Sequence, residues 1–213
     1  DLFPQVHEWD PMQWQLGPER FLVLPPSKPE IIASIFTAMF LHGNWMHLLG
    51  NMWFLWLFGN NIEDRLGHTK YLLLYLLGGV FATAVHWAMS PAAAMVQPLI
   101  GASGAVAVVL GAYAVTFPHA NVRTLVFILI FITVVDLPAL IVLGAWFVIQ
   151  VVNGAYARPE FGNTVAWWAH AGGFLAGVIV MPFLSGTRTL FPSSGPALGF
   201  PSDTEQDPYE PLA

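Results

Sequence analysis

Apolar runs broken by short polar knots dominate the chain from about residue 36 onward. Ile31 to Ile62 contains no Asp, Glu, Lys or Arg, and neither does Tyr71 to Val122. A helix crosses the hydrocarbon core with about 20 apolar residues, so the second stretch can cross twice. The first predicted span is roughly Trp45 to Phe58, entered through "FLHGNWMH" and left through "GNNIEDRLGHTK". The second runs from Tyr71 to Met89 and is ended by Ser90 and Pro91; after the loop "PAAAMVQP" the third runs from Leu99 to Phe117 and is stopped by Pro118. Asp136 and Pro138 interrupt the next apolar run. Proline disfavours helical backbone in the residue before it, so the run breaks there and Ala139 to Asn153 becomes the fourth span. Thr124 to Val135, rich in Ile, Val, Phe and Thr, is too short to cross and reads as an interfacial or re-entrant piece packed on protein. The fifth span is Val165 to Leu184.

Composition turns this pattern into a statement about solvent. Charged residues are 9% of the chain and hydrophobic ones 56%, where a soluble domain carries about 25% charged residues. The fold class is therefore an all-α polytopic membrane protein, with the lipid bilayer as its main partner. The net charge of -6 resides mostly in the two ends, and no basic block points to nucleic acid. Without cysteine there are no disulfides and no thiolate metal sites. Residues 1–35 read as an extramembrane loop, residues 36–184 as the membrane domain, and residues 185–213, rich in Pro, Gly and Ser, as a disordered tail. Arg65, Lys70, Arg123 and Arg188 gather on one side of the predicted spans and Arg20, Lys28 and Arg158 on the other; the first side is favoured as cytoplasmic. The first, third and fifth spans then start on the extracytoplasmic side and run in parallel.

That topology sorts the intramembrane polar residues by depth. His47 and Asn51 lie in the opening turns of the first span, Ser103 one turn into the third, and His170 about one turn into the fifth. At about 1.5 Å rise per residue each falls within roughly 5–10 Å of one membrane face. His86, near the end of the second span, lies toward the same face. Ionisable groups inside a membrane point to function.

A shared level of this kind suits acyl transfer. Serine attacks a carbonyl only when a base removes its proton, and histidine has the pKa for that role. Ser103 and His170 are the candidate pair. Gly101 and Gly104 clear the approach to Ser103, and helix N-terminal N–H groups favour a developing negative charge. Asn51 and His47 can add donors. Gly173 and Gly177 lie four apart on one helix face, with Gly104 and Gly111 available opposite them for close approach. Each feature has a plainer reading: a membrane serine usually bonds its own i−4 carbonyl, a lone histidine or Asn51 is usually interhelical glue, and small residues usually serve packing. The plain readings do not explain a glycine-flanked serine and a histidine at matched depth on parallel spans.

The order "FLHGNWMHLLGN", "GASG", "AHAGGFLAG" resembles the rhomboid intramembrane serine proteases over Phe36 to Leu184. The resemblance implies that Ser103 is the nucleophile, His170 the general base, and His47 and Asn51, with the Ser103 backbone, the oxyanion hole. His42 matches a further histidine at the mouth of the first span, and Glu63 and Arg65 match a structural turn. It also implies cleavage of transmembrane protein substrates near a helix end, after a small residue, from the extracytoplasmic side, with no cofactor and no metal. Rhomboids have a six-helix core, so the expectation is that five of the six helices are present and that the first lies upstream. The Trp-Arg pair frequent in the first loop is absent, and Ala107 replaces an aromatic residue found in some relatives, so the His170 ring needs other packing partners. Asp136 belongs to the opposite side, which leaves a Ser–His dyad without an acid. In the mechanism this implies, a substrate helix frays, Ser103 is acylated, and water deacylates it. A bacterial cytoplasmic membrane is the expected location, because the core is short and carries no extra domain.

Two other classes fit parts of the sequence. A zinc-dependent membrane hydrolase would use His42, His47 and His170 as ligands, although no HExxH occurs. A non-catalytic rhomboid-like binder of membrane proteins would lack the serine or the histidine, and Ser103 and His170 are both present.

Overall fold

A computed structural model describes residues 28–90, 99–128, 131–156 and 165–186. Most of the predicted loop at residues 1–35, the loop at 91–98 and the tail beyond 186 lie outside the described residues. The chain divides into two compact units at Ser34. Helix α1, Lys28–Thr37, carries the described end of the first unit, and the second unit holds the elements that follow.

A short 3-10 turn, Ala38–Phe40, leads to α2, Trp45–Phe54. The side chain of Asn44 caps α2 by accepting the His47 N–H at 2.8 Å, satisfying one of the donors that a helix start leaves free. The helical path does not stop at Phe58 as the sequence predicts. It widens into a π segment at Leu55–Gly59 and continues as α3, Asn60–Leu66, because "NNIEDRL" is polar yet helix-compatible and only Gly67, at φ 78°, ends it. Helix α4 is His68–Met89. Helix α5 is Ser103–Thr116, shorter than the predicted third span. Residues 99–102 are not helical, so Ser103 opens the helix instead of lying one turn inside it. Helix α6 is Ala139–Tyr156 and α7 is Trp167–Ser185.

Between α5 and α6 the expected interfacial piece is a β-hairpin. Strands β1, Asn121–Ile128, and β2, Phe131–Pro138, pair antiparallel in a register running from Asn121 opposite Pro138 to Ile128 opposite Phe131. The β-branched run that blurred the helical period favours strand, and pairing two strands satisfies backbone groups that a lone extended piece would leave open. The hairpin is tied in at its base, where the Ala139 N–H donates to the Ala120 carbonyl at 2.8 Å and Val122 is buried. Arg123 faces Asp136 across the strands at 3.6 Å with both side chains more than half exposed. An exposed pair contributes little; Arg123→Ala should change stability by less than about 0.5 kcal/mol in thermal unfolding.

The protein is otherwise a helical membrane bundle. Helices α4, α6 and α7 are each long and apolar enough to cross a bilayer, and large apolar side chains such as Leu77, Phe81, Ile141, Ile149, Ile179 and Phe183 point outward, as lipid contact requires. Helix α5 is the central post, buried continuously from Ala105 to Ala114. Lipid is as apolar as leucine, so packing here depends on close approach between helices. A Cβ at Gly173 would fall on the Gly104 carbonyl oxygen, one at Gly177 on the Val108 carbonyl, and one at Gly111 on the Phe174 carbonyl. The first two pairings advance together, four residues along each helix, so α5 and α7 run parallel. Gly78 against Val108 and Gly104 against Ala82 make α4 antiparallel to α5. The His47 ring lies beside Gly101 and the Phe58 ring packs on Tyr113 at 4.9 Å, so the α2 path runs parallel to α5 as well.

Candidate active site

The starts of the three parallel helices bring their polar residues to one end of the bundle. Ser103 is the first residue of α5 and His170 the fourth of α7. Ser103 Oγ lies 2.7 Å from His170 Nε2, a hydrogen bond. The other ring nitrogen, Nδ1, lies 2.9 Å from Gln150 Oε1 on α6, and Gln150 Nε2 donates to the Trp146 carbonyl at 3.1 Å. The imidazole packs against two indoles: Trp146, with centroids 5.9 Å apart, and Trp167, edge-on at 6.4 Å. These rings occupy the role that Ala107 on α5 leaves unfilled.

The approach to Ser103 is set by Gly101. Its φ of 116° lies in the region that favours glycine, and its N–H donates to the Ala38 carbonyl at 2.9 Å. A Cβ there would stand 2.5 Å from His47 Cε1. Gly101→Ala should therefore cost about 1–3 kcal/mol through backbone strain and pull the start of α5 away from His47, read as slower labelling of Ser103 together with a lower Tm.

Helix α5 leaves its leading N–H groups without intrahelical acceptors, and the Ala102 cap position adds no side-chain bond. A cavity of about 20 Å³ opens beside Ser103, lined by Gly101, Gly104, Thr83 and Ala169 among others. That is space for one water.

The remaining candidates are close but not hydrogen-bonded into the pair. His47 stacks edge-on with His42 at 5.1 Å. Asn51, one turn further along α2, is buried at 7% exposure, and its Nδ2, like Nε2 of His42 and Nε1 of Trp167, has no hydrogen-bond partner among the described residues. His86 binds Ser90 Oγ through Nδ1 at 3.2 Å. Glu63 of α3 pairs with His68, the first residue of α4. Among the described residues no three His, Asp or Glu side chains converge as metal ligands, so the zinc reading lacks the cluster it needs. Sequence reasoning passed over Gln150, Trp146 and Trp167. A single amide in the run "LIVLGAWFVIQVV" was the available signal, since a polar side chain in a span seeks a partner.

The sequence model described as "Rhomboid domain" matches residues 29–187. The chain is 30% identical over 165 residues to "Presenilin-associated rhomboid-like protein A, mitochondrial" of Danio rerio, covering 75% of this chain and 40% of that protein. It is 29% identical to "Rhomboid protein 1, mitochondrial" of Saccharomyces cerevisiae, over 81% of this chain and 49% of the relative. It is 30% identical to "Rhomboid-like protein 11, chloroplastic" of Arabidopsis thaliana, over 70% and 51%. The chain thus spans about half or less of these relatives' own length. Their names place them in mitochondria or chloroplasts, which overturns the expectation of a bacterial cytoplasmic membrane. That expectation rested on the shortness of the core, and a chain that covers half of its relatives carries no such information in its length. With a match over most of its residues, the chain belongs to the rhomboid family.

Proposed function

We propose that this protein is an intramembrane serine endopeptidase in which Ser103 is the nucleophile and His170 the general base. Rhomboid membership supports an intramembrane protease-like function acting on membrane protein substrates within the bilayer. The observation that carries the finer reading is the 2.7 Å contact between Ser103 Oγ and His170 Nε2 across two helices, a bond that a serine satisfying its own helix would not make.

The steps follow from the groups present. A substrate segment frays near the end of its transmembrane helix, at the membrane face where α5 begins, and presents a carbonyl to Ser103. His170 Nε2 takes the hydroxyl proton as Oγ bonds to the carbonyl carbon. The resulting oxyanion meets the free N–H groups of the first turn of α5, with the His47 ring and the unpartnered Asn51 amide as further donors. His170 returns the proton to the leaving amine, the C–N bond breaks, and the acyl group stays on Ser103. Water, for which the adjacent cavity has room, loses a proton to His170 as its oxygen bonds to the acyl carbon; the bond from that carbon to Oγ then breaks, the acid leaves and His170 returns the proton to Ser103. With the neutral amide of Gln150 behind the imidazole, turnover should be slow.

The test is reconstitution of the protein in liposomes with a fluorescent transmembrane peptide. The reading requires cleavage near one end of the transmembrane segment, resistant to metal chelators. Chelator-sensitive cleavage, or cleavage unaffected by Ser103→Ala, would remove it.

A further inference from the structure

We infer that Gln150 is the positioning residue of the dyad, taking by a neutral amide the place that a carboxylate holds in a triad. The inference rests on the serine protease reading above and adds a residue outside the α5–α7 pair.

The argument is one of donors and acceptors. The Trp146 carbonyl can only accept, so the group of Gln150 that faces it at 3.1 Å is the amide nitrogen. The amide carbonyl, Oε1, is then the atom 2.9 Å from His170 Nδ1, and it too can only accept. Nδ1 therefore carries the ring proton and donates it. In a neutral imidazole that leaves Nε2 as a lone pair, which accepts the Ser103 hydroxyl at 2.7 Å. The chain from the Trp146 backbone through Gln150 to His170 thus selects the tautomer in which His170 is a base toward Ser103. Trp146 holds the ring from the same helix at 5.9 Å, so α6 supplies both the orientation and the tautomer. Gln150 is itself buried, at 4% exposure, and water cannot replace it freely.

Neutrality has a consequence. An amide steadies the imidazole without the charge that a carboxylate would place beside an imidazolium. Among the described residues the titratable groups facing His170 are His47 of α2 and His86 of α4, neither of which supplies negative charge. A carboxylate at position 150 should therefore change the pH response, whereas a filler of equal size should change only the rate.

The experiment measures the rate of fluorophosphonate labelling against pH for the intact chain and for Gln150→Met and Gln150→Glu in detergent micelles, with thermal unfolding in parallel. Gln150→Met keeps the volume but loses the acceptor; labelling should slow about tenfold, the equivalent of one ordinary hydrogen bond, with Tm little changed. Gln150→Glu restores the acceptor and should keep labelling near the native rate while moving its half-rise to higher pH by about one unit or more, because a carboxylate favours the protonated ring. If Gln150→Met does not fold, the Gln150→Glu profile decides alone. Labelling in the native chain with an unshifted Gln150→Glu profile overturns the role of Gln150 and leaves the dyad standing. A folded native chain that takes no label removes the dyad and this inference together.

Discussion

Ser103→Ala should abolish cleavage of a transmembrane peptide, and His170→Ala should lower it by at least about 10³-fold, with both variants still folded. The asymmetry has a chemical cause. Without Oγ there is no atom to form the acyl-enzyme, whereas without the imidazole the hydroxyl survives but nothing within 2.7 Å takes its proton. Both variants should hold the native Tm to within a few degrees, because the pair contributes one hydrogen bond to a bundle packed mainly through α5 and α7. Initial rates in liposomes and thermal unfolding in micelles check the two halves. A His170→Ala variant as fast as native would mean that some other group deprotonates Ser103.

The second large effect lies in the helix seam. Gly177→Ala should destabilise the protein by about 3 kcal/mol, a fall of roughly 10 °C in Tm for a chain of this size. The added methyl would coincide with the Val108 carbonyl and stand 2.7 Å from the Ala112 nitrogen. Both obstacles are backbone of a buried helix and cannot rotate aside. Gly173→Ala meets the Gly104 carbonyl in the same way, one residue past Ser103, so it should part the Ser–His bond as well as lower Tm. Gly144→Ala on α6 is the control: nothing lies within 4 Å of its Cβ position, and alanine is the better helix former by up to about 1 kcal/mol. Equal Tm values for Gly144→Ala and Gly177→Ala would contradict the close-approach account of this bundle.

The sequence was most legible where the bilayer imposes its own rules. Apolar run length located the helical segments to within a few residues at α4, α6 and α7, because a span must be long and uncharged whatever it packs against. It failed where local chemistry decides. The start of α5 was misplaced because "LIGA" is as apolar as the helix behind it, and the change of backbone at Gly101 leaves no trace in hydropathy. The hairpin was missed because its β-branched run has the same apolar character as a span; strand pairing shows only in register, as in Arg123 opposite Asp136. The continuation of α2 through the π segment into α3 was hidden by the polar turn that sequence reasoning took as an exit. In the candidate site, Ser103 and His170 stood out as polar groups at one depth on spans predicted to be parallel. Gln150 did not, because its depth and its partner follow from how α6 packs against α7, which no periodicity encodes.

The measurement that tests the account most directly is mass-spectrometric mapping of the fluorophosphonate adduct on the intact, folded protein. An activated Ser103 predicts one adduct per chain, on the tryptic or chymotryptic peptide containing "GASGAV", lost in Ser103→Ala and formed far more slowly in His170→Ala. An adduct on any other residue, or none at all on folded protein, would contradict the claim that Ser103 and His170 form a working dyad.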